Sequence, residues 1–263
     1  MSVVSAVAAS HVGNVRSNNE DNFFLNGKVF FPDTDTSYIT DESTGGLYAV
    51  CDGMGGDAHG ELASKIAVNT LSEFFEELYN SKDSFGQAVN RYTETANAKL
   101  CEVMELNGQR MGTTLALLYV RDDSAVAANI GDSRVYYFKK NFFRENQLIQ
   151  LSKDHNQIRQ LIELGVIKKE EAKTHPSRHT LTQHLGIFPH EMIVEPFISQ
   201  PIKPKRGDIF LLCSDGLTDM LEDDEITSIM SSNSELHKTA EMLVDAALRN
   251  GGHDNVTVVL VSV

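Results

Sequence analysis

Four aspartates stand at the boundaries of apolar runs. Asp52 follows LYAVC and opens DGMGG, Asp132 follows AVAANI inside GDSR, Asp215 follows IFLLC inside SDGLTD, and Asp254 stands in GGHDN directly before VTVVLV. Asp-Gly and Gly-Asp are ordinary turn dipeptides, and aspartate tolerates the left-handed region and makes Asx-turns, so each one alone reads as a turn. As a set they read differently. Each carboxylate starts at the edge of a run typical of a buried strand, and burying several carboxylates together is very costly without countercharge. Oxygen-only ligands of this kind suit a hard divalent cation such as Mg²⁺ or Mn²⁺. The glycines after Asp52 and Asp215 permit tight turns and close backbone approach, so a carbonyl could join the coordination.

A second constellation, Arg16, Glu20 and Asp21, lies in HVGNVRSNNEDNF, a stretch too polar for a core. Alone, Arg16 reads as one half of a surface salt bridge. Beside bound cations it is a planar, permanently charged fork suited to phosphate oxygens.

The elements that must position these groups come in blocks. Residues 3–9 read as a strand, 23–31 as a second, 32–46 as a surface loop rich in turn residues, and 47–51 as a short buried strand. Leu62, Ile66, Ala67, Thr70, Phe74 and Leu78 recur at helical spacing, as do Phe85, Val89, Tyr92, Ala96, Leu100 and Val103. Strands are predicted over 113–120, 125–130 and 135–138, a small helical excursion over 153–179, and strands again over 192–198 and 209–213. Residues 235–250 form an amphipathic pattern stopped by Gly251 and Gly252, and 256–263 read as a last strand. Strand blocks interrupted by helix pairs point to an α+β layered fold with mostly antiparallel sheets. No Pro/Ser linker divides the chain, so residues 1–263 read as a single domain.

Bulk properties exclude several classes. The 263 residues carry a formal charge of −14, against the basic face that a nucleic-acid or membrane-surface binder needs. No run approaches the ~20 apolar residues of a membrane span, and MSVVSAVAAS lacks the basic n-region of a signal peptide. Cys51, Cys101 and Cys213 are too few and too scattered for a disulfide framework or a zinc site, which points to a reducing, cytoplasmic setting. At strand ends Cys51 and Cys213 read as small apolar packing residues.

Eight ordered motifs carry a resemblance. They are RSNNED at 16–21, DGMGGDAHGELAS at 52–64, RMGTT at 110–114, IGDSR at 130–134, LSKDH at 151–155, HPSRHTLTQHLG at 175–186, LLCSDGLTD at 211–219 and GGHDNVTVV at 251–259. From about residue 5 onward the chain resembles the metal-dependent protein serine/threonine phosphatases of the type 2C (PPM) family in their bacterial form. The resemblance implies a four-layer α-β-β-α sandwich, two mostly antiparallel sheets flanked by helix pairs, with metals in a cleft at one end.

Residue by residue, it implies that Asp52 bridges two Mn²⁺ or Mg²⁺ ions, with the Gly53 carbonyl on the second. Asp215 and Asp254 would hold the first ion, Glu20 would support the second largely through water, and Asp21 would orient metal-bound waters. Asp132 matches the ligand of a weaker third ion, and Arg16 the group that grips the substrate phosphate. Paired ions lower the pKa of a water toward 7 and hold it in line with phosphorus, so no covalent phosphoenzyme is needed. The implied activity is hydrolysis of phosphoserine and phosphothreonine on proteins, by a monomer, opposing a cognate bacterial serine/threonine kinase.

The pattern also has departures. Met54 stands where eukaryotic members carry a histidine, and Asp57 where bacterial members commonly do, with His59 two residues on. His59 is thus a weak choice for protonating the leaving group, and metal-bound water a better one. The other histidines, His179 among them, show no metal spacing and read as structural or solvated. The stretch 26–46 is longer than the usual bacterial connection and reads as a surface insertion or a partner-binding loop. Residues 153–186 match the family's flap, in which Lys168 and Lys169 replace a Thr-Pro helix start, removing an N-cap and predicting a flap that frays more easily. Two other readings stay open at this stage: a catalytically silent phosphoprotein-binding module of the same fold, and an unrelated metal hydrolase such as a nuclease, which the acidic charge opposes.

Overall fold

The structure is a computed structural model, described here for residues 4–30, 37–55, 59–80, 85–141, 144–233 and 235–263. Its strands alternate between two buried faces, and that alternation builds the layers. In β12 (Ile209–Cys213), Ile209, Leu211 and Cys213 face one cluster while Phe210 and Leu212 face another. In β5 (Gly46–Met54), Leu47, Ala49 and Cys51 face outward under helices, while Tyr48 and Val50 face the opposite sheet. Strands covered on both sides read as unbroken apolar runs rather than alternating ones, which is why these segments stand out in the sequence.

One sheet runs in the order β10 (Gln147–Gln150), β9 (Arg134–Lys139), β12, β13 (Val256–Ser262), β1 (Val4–His11), β4 (Ser37–Ser43). The other runs β11 (Phe197–Ile198), β8 (Ser124–Ile130), β7 (Leu115–Arg121), β5, β2 (Asp21–Leu25), β3 (Lys28–Phe30), with β6 (Gly112–Thr113) paired to the end of β5. The strand pairings between them are antiparallel.

Phe23, Leu25, Tyr48 and Val50 meet Val135, Phe210, Leu212 and Val259 between the sheets. Helices α1 (His59–Glu73), α2 (Phe75–Asn80) and α3 (Phe85–Asn107) lie on the outer face of the second sheet, where Val68, Leu71, Tyr92 and Leu100 join Phe24, Leu47 and Cys51. On the far face of the first sheet, α5 (Asp215–Thr218), α6 (Asp223–Ser232) and α7 (Leu236–Arg249) bury Leu217, Ile226, Leu243 and Val244 against Val7, Leu211 and Leu260. The result is the four-layer sandwich that the resemblance implies. Among the described residues no helix is long and apolar enough to cross a membrane.

Three expectations are corrected. The loop expected over 32–46 contains β4, which adds an edge strand to β1 from Ser10↔Ser37 to Val4↔Ser43. Tyr38, Ile39 and Thr40 are good strand formers, and edge pairing overrides the turn-rich composition around them. The insertion is therefore at least partly sheet. The strand expected over 192–198 shrinks to β11, because Pro196 has no N–H for a ladder. The helical excursion over 153–179 contains only α4 (Gln157–Glu163) and a 3₁₀ turn over Lys169–Thr174. Strand β10 and helices α5 and α6 had no sequence counterpart. Edge strand β10, short and of mixed polarity, alternates exposed and half-buried residues. α6 has an acidic first turn in which the Glu225 carboxylate accepts from the Glu222 N–H at 2.9 Å.

Candidate functional site

Strand direction brings the carboxylates to one end of the sandwich. β5 ends and β2 begins there, so antiparallel register sets Asp52 directly opposite Asp21. β12 ends and β13 begins there too: Cys213 pairs with Val258, leaving Asp215 and Asp254 just beyond. The short connection from β8 to β9 carries Asp132. Asp21 joins the sheets, since its Oδ2 accepts from the Ser214 Oγ at 2.8 Å.

Each carboxylate feels the others. Asp52 is held well above the ordinary aspartate range first by burial and then by Asp21, Asp215, Asp254 and Asp132. Asp215 is raised likewise, by burial and then by Asp132, Asp219, Asp254 and Asp21. Burial pushes Asp21 up to about 7 despite hydrogen bonds from Thr257 and Ser214 that favour its charge. Asp132 also rises to about 7, through burial and Asp154, with Arg134 opposing. Glu20 is raised by burial, against the nearby Arg16. Asp21 is 1% exposed, and its Oδ1 has no hydrogen-bond partner.

Backbone packing fixes this bowl. The Thr113 hydroxyl and the Thr114 N–H both donate to the Asp52 carbonyl at 2.9 Å, which ties RMGTT to the end of β5. Gly53 and Gly60 are required by close approach: a Cβ on Gly53 would overlap the Gly60 carbonyl, and one on Gly60 would lie 2.5 Å from the Glu20 carboxylate. Asn255 stitches the Arg16 loop in place, accepting from the Glu20 N–H at 2.8 Å and donating to the carbonyls of Val12 and Asn18. Arg16 reaches across and donates to Asp254 Oδ2 at 2.7 Å.

The 153–186 segment leaves and returns beside Asp132. The His155 N–H donates to the Gly131 carbonyl at 2.9 Å, and the Thr182 N–H donates to the His155 carbonyl at 2.8 Å. Behind Asp132, Arg134 makes a forked contact with buried Asp154 through Nε and Nη2, at 2.7–3.1 Å. At the start of the 3₁₀ turn Lys168 offers no side-chain cap, and its N–H donates to the Glu171 carboxylate at 2.7 Å.

The site residues read from the sequence thus share one end of the fold, while Asp57 lies outside the described residues. His59 opens α1 beside Gly55. His11 and His175 accept backbone hydrogen bonds, which fits a structural role. His179 departs from that reading. Its Nδ1 stands 3.4 Å from Asp219 Oδ2, and ligand atoms of His179, Asp215 and Asp219 lie within 4.8 Å of one another. The trio was invisible in the sequence because the 153–186 segment brings His179 to α5 through tertiary folding, with no spacing to betray it. Ser214, Thr113 and Asn255 were also missed as supports, although each adjoins or lies within a quoted motif. The Cys51 and Cys213 thiols are buried, and burial raises both, Cys213 to about 12, so neither is an activated nucleophile.

A family model described as protein phosphatase 2C matches residues 31–250. The serine/threonine phosphatase stp of Listeria monocytogenes serotype 4b is 34% identical over 262 residues, covering 95% of this chain and 92% of that protein. Protein phosphatase PhpP of Streptococcus pneumoniae serotype 2 is 32% identical over 253 residues, covering 95% and 94%. Among solved structures, the Mycobacterium tuberculosis serine/threonine phosphatase PstP/Ppp matches with a TM-score of 0.81 at 30% identity, over 100% of this chain and 99% of that one. The catalytic domain of PstP in complex with two manganese ions matches with a TM-score of 0.77 at 29% identity, over 99% of both.

Proposed function

The chain belongs to the protein phosphatase 2C family and is a protein serine/threonine phosphatase, and from that premise we propose that it dephosphorylates phosphoserine and phosphothreonine with two divalent cations, Mn²⁺ or Mg²⁺, held in the acidic bowl. The observation that carries the reading is the convergence on Asp52, whose ionisation is opposed by burial and by four other aspartates at once. The residues fit such ions: the donors are all oxygens, and the buried Asp21 Oδ1 is an acceptor with no donor.

Asp52 would hold both ions, the Gly53 carbonyl and, through water, Glu20 would hold the second, and Asp215 and Asp254 the first. Asp132 would serve a further, weaker ion. Ions in such a site supply a water acidified toward neutrality and positive charge against the phosphoryl oxygens. The chain's own groups do the rest. Asp21, fixed by Ser214, orients water from beneath the bowl. Arg16 exchanges Asp254 for the substrate phosphate, which takes the same fork of donors. With both strand-end thiols buried and protonated, water is the attacking group and no phosphoenzyme forms on Cys51 or Cys213. One catalytic domain with a flap over 153–186 suffices for this chemistry, and a serine/threonine kinase is the activity it opposes.

The test is turnover of p-nitrophenyl phosphate. It is expected to require Mn²⁺ and to vanish in Asp52→Ala and in Asp215→Ala. Undiminished turnover after EDTA treatment would overturn the mechanism.

A further inference from the structure

Asn97 lies on the buried side of α3 beside Ala96, Leu100 and Cys101, and is 7% exposed. A buried amide needs partners at both ends, and Asn97 finds them remote in the chain. Its Oδ1 accepts from the Gly186 N–H at 2.7 Å and the Ile187 N–H at 3.2 Å, and its Nδ2 donates to the Ile187 carbonyl at 2.8 Å. These residues stand where the 153–186 segment rejoins the sandwich. Leu185, next to them, exchanges two bonds with Thr113. The Thr113 N–H donates to the Leu185 carbonyl at 3.0 Å, and the Leu185 N–H to the Thr113 carbonyl at 2.9 Å. Packing is tight there, since a Cβ on Gly186 would lie 2.4 Å from the Met111 carbonyl.

Thr113 carries the tie into the bowl. Its hydroxyl and the Thr114 N–H donate to the Asp52 carbonyl, while the Gly53 N–H donates to the Glu20 carbonyl at 3.2 Å. The Asp52 carbonyl and the Gly53 N–H belong to one planar peptide unit, which is thus held from both edges. We propose that Asn97 is a positioning residue for the metal centre: through Leu185 and Thr113 it fixes the peptide plane that joins Asp52 to Gly53. This inference rests on the reading of the bowl as a two-ion site. Asn97 touches neither ions nor substrate. Its amide sets where the 153–186 segment rejoins the fold, and so how firmly β6 holds the end of β5. Without that anchor the plane is freer to tilt, and the Gly53 carbonyl tilts with it. The ion that depends on Gly53 and Glu20 feels the change. The ion on Asp215 and Asp254 draws those ligands from beyond β12 and before β13, outside this chain of bonds.

The test compares Asn97→Ala with wild type on the full chain, by equilibrium dialysis of Mn²⁺ and by amide hydrogen exchange of EDTA-treated protein. One of the two Mn²⁺ ions is expected to bind ~10-fold more weakly, the low end for loss of a group behind a metal ligand, with the other unchanged. Exchange should quicken at Thr113 and Thr114, whose N–H groups carry the tie. Ala88→Gly, a helix-weakening change on the buried side of α3, should do neither. Asn97→Asp keeps the acceptor for Gly186 and Ile187 and loses the donor to the Ile187 carbonyl. It should shift both readouts in the same direction by less, and it carries the test if the alanine variant does not fold. Wild-type Mn²⁺ binding and exchange in both Asn97 variants would overturn the proposal, as would equal shifts in Ala88→Gly. If wild type binds two ions and Asn97→Ala binds them alike, only this inference fails. If wild type takes up no Mn²⁺, the metal-centre reading fails and this inference goes with it.

Discussion

Asp21 and Asp52 stand directly opposite each other on neighbouring antiparallel strands, β2 and β5. Side chains at paired positions leave the sheet on the same face with Cβ atoms about 4.5–5.5 Å apart, and like charges placed so are destabilising. Here Asp21 is buried and Asp52 half-buried, with Asp215 and Asp254 nearby. Such an arrangement is tolerable in two states only, protonated or cation-bound.

The first prediction follows from protonation. Asp21 and Asp132 have folded pKa values raised from 3.8 to about 7, and Asp52 and Asp215 are raised well above 3.8. A raised acid holds a proton in the folded protein that the unfolded chain has released, so its stabilising effect is fully present below the ordinary carboxylate pKa and is lost as pH climbs through the folded value. The melting temperature of EDTA-treated protein should therefore fall between about pH 4 and pH 7. Saturating Mn²⁺ should reverse the trend, because the ions need the ionised forms. At a hundredfold excess over Kd, each ion is worth ~2.7 kcal/mol, or roughly 5–10 °C. Thermal scans across pH with and without Mn²⁺ decide it.

Asp21→Asn separates the pair. The amide keeps an oxygen for the Ser214 hydroxyl while removing the charge that faces Asp52. The ion-free variant should melt higher than ion-free wild type, by about 2–4 °C for each kcal/mol of repulsion relieved. Its gain on adding Mn²⁺ should shrink. A variant that melts lower without ions would show that the Asp21 charge stabilises the bowl by itself.

Much of this centre was legible because Asp52, Asp132, Asp215 and Asp254 each adjoin a largely buried apolar strand, and such runs advertise themselves. IFLLC before Asp215 and LYAVC before Asp52 are examples. What remained hidden depends on partners remote in the chain. β4 and β10 are edge strands with polar residues, so their pairing is decided by the strand beside them. The opposition of Asp21 and Asp52 is a matter of register, which a single strand's sequence does not state. His179 and Asp219 meet only through tertiary folding of the 153–186 segment, and no periodicity links positions so placed.

Behind Asp132, the Arg134–Asp154 pair is held by two guanidinium nitrogens and is 26% and 8% exposed at the side chains. Removing one member of a buried pair leaves the other charge uncompensated, at a cost of about 3–5 kcal/mol. Asp154→Ala should lose roughly that much stability in urea titrations. Because Asp154 adjoins His155, whose N–H holds the Gly131 turn, the variant should also weaken any ion at Asp132 while sparing the two at Asp52. A loss within about 0.5 kcal/mol, typical of surface positions, would mean that solvent screens the pair.

Arg16 offers the sharpest division between binding and chemistry. It is 55% exposed at the side chain, and its bond to Asp254 at 2.7 Å lies in the open, so the ion pair contributes little to stability. Arg16→Ala should therefore leave the melting temperature nearly unchanged. Asp254 loses a competitor for its carboxylate, so Mn²⁺ affinity should hold or rise. The phosphate, by contrast, loses a charge-assisted donor worth about 1.5–3 kcal/mol, which raises KM for p-nitrophenyl phosphate roughly 10–100-fold. If Arg16 grips ground state and transition state alike, kcat changes little, and if it acts mainly on charge developing in the transition state, kcat falls instead. A variant with wild-type KM and kcat would assign Arg16 to Asp254 alone and leave substrate recognition to other residues.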